Sequence, residues 1–113
     1  MKEILIKNEI NTQFAVSPED GDIIYEKICN YINNKEKISL NFLGLDLITT
    51  AFLNNAIGKL YKNLDSYELN KFLTLTNISN SDLNLVKKVI NRAKITFSDD
   101  YNKIIGDCLN NEQ

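Results

Sequence analysis

The chain has 113 residues, 43% hydrophobic and 25% charged, which describes one globular domain of residues 1–113 with a modest core and excludes a wholly disordered chain. A formal charge of −2, with the basic residues scattered and only Lys87 and Lys88 adjacent, argues against a nucleic-acid surface. With no histidine and two cysteines, Cys29 and Cys108, the chain offers neither a zinc ligand set nor a Ser-His or Cys-His pair, so no metal, no cofactor and no catalytic residue is expected.

Glu3 to Ile10 alternates loosely and predicts a strand. Asn11-Thr12 supplies a turn, after which Phe14-Ala15-Val16 reads as the second strand of a hairpin. Ser17-Pro18-Glu19-Asp20 opens a helix. Serine can cap it, proline suits the first helical position, and acids favour the positive end of the helix dipole. That helix runs to about Asn33, with Ile24, Ile28 and Tyr31 on one face and Tyr25, Cys29 and Ile32 at its edge.

Lys37 to Phe42 alternates cleanly, Ile38, Leu40 and Phe42 facing one way and Ser39 and Asn41 the other. Leu43-Gly44-Leu45-Asp46 breaks the pattern, Leu47-Ile48 restores an apolar anchor, and two threonines follow. From about Ala51 to Leu64 the spacing predicts a helix with Leu53, Ala56, Ile57, Leu60 and Leu64 in its core stripe, flanked by Phe52 and Tyr61. Its other face carries Ala51, Asn54, Asn55, Gly58 and Lys62, with small residues at 51 and 58 that leave room for close packing. One of Thr49 and Thr50 is expected to cap the helix.

Asp65 to Leu69 reads as a loop and Lys71 to Leu75 as a strand. Ser79 or Ser81 starts the next helix, whose buried stripe is Leu83, Val86, Val89, Ile90 and Ala93. Lys94 to Phe97 fits helix or strand equally. Ser98-Asp99-Asp100 resembles a fresh cap for a last short helix with Tyr101, Ile104, Ile105 and Cys108, and Asn110 onward is expected to fray. Alternating strands and helices predict an α/β domain with parallel strand pairs, a mixed four- to five-stranded sheet and about four helices. No apolar run reaches the length of a membrane span and the amino terminus lacks the form of a secretion signal, so a cytoplasmic protein is expected.

The order strand, strand, helix, strand, helix, strand, helix, helix resembles that of STAS domains, the fold of bacterial anti-sigma factor antagonists. The likeness is strongest over ISLNFLGLDLITTAFLNNAIGKL, residues 38–60. More narrowly, ITTAFLNNAIGKLY is similar to the STAS-like DUF4325 group, where a Thr/Ser-rich junction precedes Phe-Leu and an Ile-Gly step. In the antagonists an Asp-Ser pair marks this junction, and the serine is phosphorylated by a kinase that is also the binding partner. The resemblance places Thr49 at the aspartate, Thr50 at the serine as phosphoacceptor, and Phe52 where glycine is usual. It implies a regulatory module that binds a protein, of the class of histidine-kinase-like ATPases, through Thr49, Thr50, Ala51, Asn54, Asn55, Gly58 and Lys62. The alternative it implies is a domain that senses a small ligand or nucleotide near the same helix terminus. A phosphate on Thr50 would add roughly −1.5 to −2 charge where the helix dipole tolerates it.

Overall fold

The computed structural model describes the backbone of residues 1–109 and the side chains of residues 1–94. Its elements in order are β1 (Lys2–Leu5), α1 (Ile6–Ile10), β2 (Phe14–Ala15), α2 (Pro18–Asn33), β3 (Ile38–Asn41) and β4 (Leu47–Ile48). There follow α3 (Thr50–Leu53), a π segment (Asn54–Gly58), α4 (Lys59–Asn63), α5 (Ser66–Phe72), β5 (Leu73–Thr76) and α6 (Asn80–Leu109). The α/β class expected from the alternation is present, and every strand pair among the described residues is parallel. Five strands divide into a three-stranded sheet in the order β1-β3-β5 and a two-stranded sheet of β2 and β4.

The amino-terminal hairpin is absent. The strand expected over Glu3 to Ile10 stops at Leu5, and α1 takes the rest. Ile6 and Ile10 are both buried, one helical turn apart on the face toward the core, and Asn11 ends the helix in the left-handed region at φ 60°. Thr12 then carries the chain away from β1, and β2 pairs with β4 through Phe14↔Leu47 and Ala15↔Ile48. An ion pair of 3.0 Å between Glu9 and Lys27 links α1 to α2.

The central strand β3 is buried along its length. Ile38 and Leu40 lie beside Leu73 and Leu75 of β5, and Leu40 also lies beside Ile4 of β1. On the other side of β3, Ser39 meets Thr76 at 3.2 Å, and Asn41 donates to Glu3 at 3.0 Å while accepting from the Leu43 amide and from Asn77. These bonds satisfy polar groups that would be costly to bury unpaired.

α2 matches its sequence expectation. Ser17 accepts from the Asp20 amide at 3.1 Å, Pro18 is the first helical residue, and Ile24 and Ile28 are fully buried. Cys29 is half-buried against the core. Gly21 faces the helix that follows β4, and a Cβ there would stand 2.5 Å from the Phe52 carbonyl oxygen. The two backbones therefore approach more closely than any other side chain would allow.

α3, the π segment and α4 form one uninterrupted helix. Within it, Lys59 N–H bonds the Asn54 carbonyl, an i→i+5 bond, in place of the i→i+4 bond of an α-helix. The core residues show why. Phe52, Ala56 and Leu60 form one row and Leu53, Ile57 and Tyr61 the next, all buried. A strict four-residue spacing drifts around a helix of 3.6 residues per turn, and a wider turn in the middle holds it in line. This revises the expected stripe. Phe52 is a fully buried core residue instead of a flank, and Leu64, which caps the helix in extended conformation, is 41% exposed.

Asp65 to Leu69, expected as a loop, begins α5. The Asp65 carboxylate accepts from the Tyr67 and Glu68 amides, and Leu69 is buried beneath. β5 accordingly starts two residues later than predicted. Ser79 caps α6 by accepting from the Asp82 amide at 3.2 Å, and Val86 and Val89 bury against the π segment and α4. Lys94 to Phe97 is helical, and Ser98-Asp99-Asp100 lies inside α6 without starting a new helix. No proline or glycine interrupts Asn80 to Ile105, so the backbone continues. The side-chain assignments for Tyr101, Ile104, Ile105 and Cys108, and the fraying from Asn110, lie outside the described residues.

Candidate functional site

The Thr49-Thr50 junction is held by the short β2-β4 sheet. After β3 the chain turns at Gly44, which has φ +84°, a conformation suited to glycine. Asp46 is then tied to Gln13 twice, through its amide at 2.8 Å and through its carboxylate at 2.8 Å. Three residues on, the Thr49 amide donates to the Ala15 carbonyl at 3.1 Å.

The two threonines are not equivalent. The Thr49 hydroxyl donates to the Val16 carbonyl at 2.8 Å and accepts from the Phe52 amide at 3.2 Å, so it both caps the helix and fastens it to the residue that follows β2. Thr50 is exposed at the first helical position. Thr49→Val, which loses both bonds but keeps the shape, is therefore expected to lower unfolding stability by about 1–2 kcal/mol. Thr50→Val is expected to stay within about 0.5 kcal/mol of the parent. Urea denaturation of the two variants side by side checks this, and equal losses would show that the cap is not Thr49.

Of the remaining expected surface residues, Ala51, Asn54 and Lys62 are exposed. Asn55 is half-buried and its amide donates to the Pro18 carbonyl at 3.3 Å and to Asp22 at 3.1 Å. Asp22 also takes a 2.6 Å ion pair from Lys59, whose ammonium lies 4.7 Å from the centre of the Tyr25 ring. The hydrogen bond from Lys59 holds the Asp22 carboxyl below its usual value, against a weaker opposing effect of desolvation.

Gly58 is buried, not on the open side where its spacing from Ala51 had placed it. A Cβ at this position would lie 3.3 Å from Cγ1 of Val89, so the missing side chain admits α6. Of the two small residues, Gly58 thus admits α6 while Ala51 stays exposed. Together with Asn54, Asn55 and Lys62, Gly58 does edge a groove of about 270 Å³ that is closed on the other side by Val89 and Arg92 of α6.

Sequence reasoning missed the apolar surface beside the junction. Phe14 and Leu47 are register partners on one face of the small sheet, Val16 follows Phe14 on that face, and their exposures are 47%, 53% and 37%. Ala15 and Ile48 point the other way into the core. Both segments were readable as apolar, one as a short strand and the other as an anchor, but not that they pair with one another, which is what gathers the exposed side chains into a patch.

Among the described residues no three His, Cys, Asp or Glu side chains converge as a metal site, and no helix is long and apolar enough to cross a membrane. The model of a family described as a STAS-like domain of unknown function (DUF4325) matches residues 20–83, more than half of the chain, from the first turn of α2 into α6. No curated protein and no solved structure matches.

Proposed function

Because the chain belongs to the STAS-like DUF4325 family, we propose that it is a non-enzymatic regulatory module that binds a protein partner at the Thr49-Thr50 junction. The observation that carries this reading is the exposed apolar patch of Phe14, Val16 and Leu47; the Thr49 hydroxyl bonds the Val16 carbonyl, and exposed Thr50 and Ala51 follow Thr49 in the chain. Large apolar side chains gathered on a surface lose nothing by being covered, and a polar rim gives the covering partner its register. The partner class is that of the anti-sigma antagonists, a histidine-kinase-like ATPase. Thr50 is the residue through which phosphorylation would act: a phosphate at the start of the helix leaves the fold intact and places charge at the rim of the apolar patch.

The test is capture and binding with the parent, Leu47→Asp and Thr50→Glu. Both positions are exposed, so thermal unfolding is expected to stay within about 2 °C of the parent. Affinity for the captured ATPase is expected to fall at least about tenfold in each variant, because a charge introduced into a desolvated apolar contact is uncompensated. Unchanged affinity in both would remove the junction as the binding surface.

A further inference from the structure

The groove between the helix and α6 has a chemistry different from the apolar patch. Lys59, Lys62 and Arg92 line it together with Asn54 and with Asn55, whose amide donates to Pro18 and Asp22, and no Asp or Glu among the described residues is part of its lining. In a chain whose acids outnumber its bases by 15 to 13, a concave wall whose described lining holds three basic residues and no acidic one departs from the overall balance, even with Lys59 paired to Asp22 behind it. We propose that this groove binds a small phosphate-type anion.

The residues divide the work. Lys59 is anchored on Asp22, so part of its charge is already offset and its position is fixed. Lys62 has no hydrogen bond or ion pair among the described residues and is the cation with most to gain from an anion. Arg92 of α6 already has an interaction of its own, and its guanidinium carries five donors in a plane that suits phosphate oxygens as well. Gly58, by admitting Val89, sets the spacing between the helix and α6, and the π segment forms one wall. Irregular helical turns of this kind are frequent at functional sites. At about 270 Å³ the groove is just below the usual size of ligand pockets, large enough for a phosphate with a small attached group and too small for a folded segment.

The inference stands apart from the partner reading, since the groove lies on the α6 side of the helix and the apolar patch on β2 and β4. The test is an NMR amide titration of the full chain with inorganic phosphate, using chloride at matched ionic strength as the reference. Saturable shifts are expected at residues 54–62 and 89–93. Lys62→Gln is expected to weaken binding at least fivefold, while Lys71→Gln, at a lysine paired with Glu68 on α5, leaves it unchanged. A parallel titration with ribose 5-phosphate distinguishes a free anion from a phosphorylated small molecule, the latter binding more tightly if the attached group is recognised. Shifts that do not saturate, shifts spread evenly over all lysines, or an unchanged constant in Lys62→Gln would overturn the proposal. Leu47→Asp should lose the protein partner and keep the phosphate response, so the two readings fail separately.

Discussion

Phe52→Ala is expected to remove about 3–5 kcal/mol of unfolding stability, enough to leave the domain largely unfolded at moderate temperature. The ring is 0% exposed and is among the largest fully buried side chains of the core. It sits in the first turn after the Thr49 cap, in the same buried row as Ala56 and Leu60. Truncation loses the transfer energy of the ring and leaves a cavity that the surrounding helices cannot close. Circular dichroism with urea measures it. A loss under about 1.5 kcal/mol would mean that Phe52 is a flanking residue after all. Phe52→Leu should recover much of the loss by restoring volume.

Gly21→Ala tests a contest between two opposing effects. In an exposed helix this change stabilises by about 1 kcal/mol through backbone entropy and propensity. Here the added methyl would meet the Phe52 carbonyl oxygen at 2.5 Å and the Cβ of Asn55 at 2.9 Å. The first of these is backbone and cannot swing aside, so α2 must lift from the helix it covers. Overpacking of this kind costs about 1–3 kcal/mol or more, and the net result is expected to be a destabilisation of about 2 kcal/mol. Gly58→Ala provides the comparison. Its methyl would meet a Val89 side-chain carbon at 3.3 Å and, at ordinary contact distance of 3.8 Å, Asn54 Oδ1 and the Leu53 carbonyl oxygen, and the propensity gain roughly cancels the adjustment. Thermal unfolding of the two variants should therefore rank Gly21→Ala well below Gly58→Ala, and the reverse order would refute the close approach of α2.

Elements whose signals are local were legible. Ser17 followed by Pro18 marked the start of α2 to the residue, the alternation from Ile38 to Phe42 marked β3, and the paired threonines marked a cap. What escaped depended on distant residues or on competing local signals. Ile4 and Ile6 suit a strand and Ile6 and Ile10 suit a helix. The burial of Ile6 and Ile10 together, with left-handed Asn11 to stop the helix, decided between them. Phe14-Ala15 could not announce that its partner is Leu47-Ile48 and not the preceding strand. The Asp65 cap was present in the sequence, but a seven-residue helix carries too little periodicity to stand out. At the site, the junction and its exposed Thr50 were readable, whereas Gly58 was turned to the wrong neighbour because α6 was not yet in place. The apolar patch needed the β2-β4 pairing before it existed as a surface.

The parallel pairing has a kinetic consequence. Ile4 must find Leu40, Leu40 must find Leu75, and Ala15 must find Ile48, so each ladder closes a loop of roughly 35 residues and no hairpin offers a cheaper first step. Early order must then come from helices, with α2 as the best nucleus because Ser17 and Pro18 define it locally. During synthesis the main sheet cannot be completed until Thr76 has emerged, and until then the apolar side of β3 stays open to water or to a chaperone.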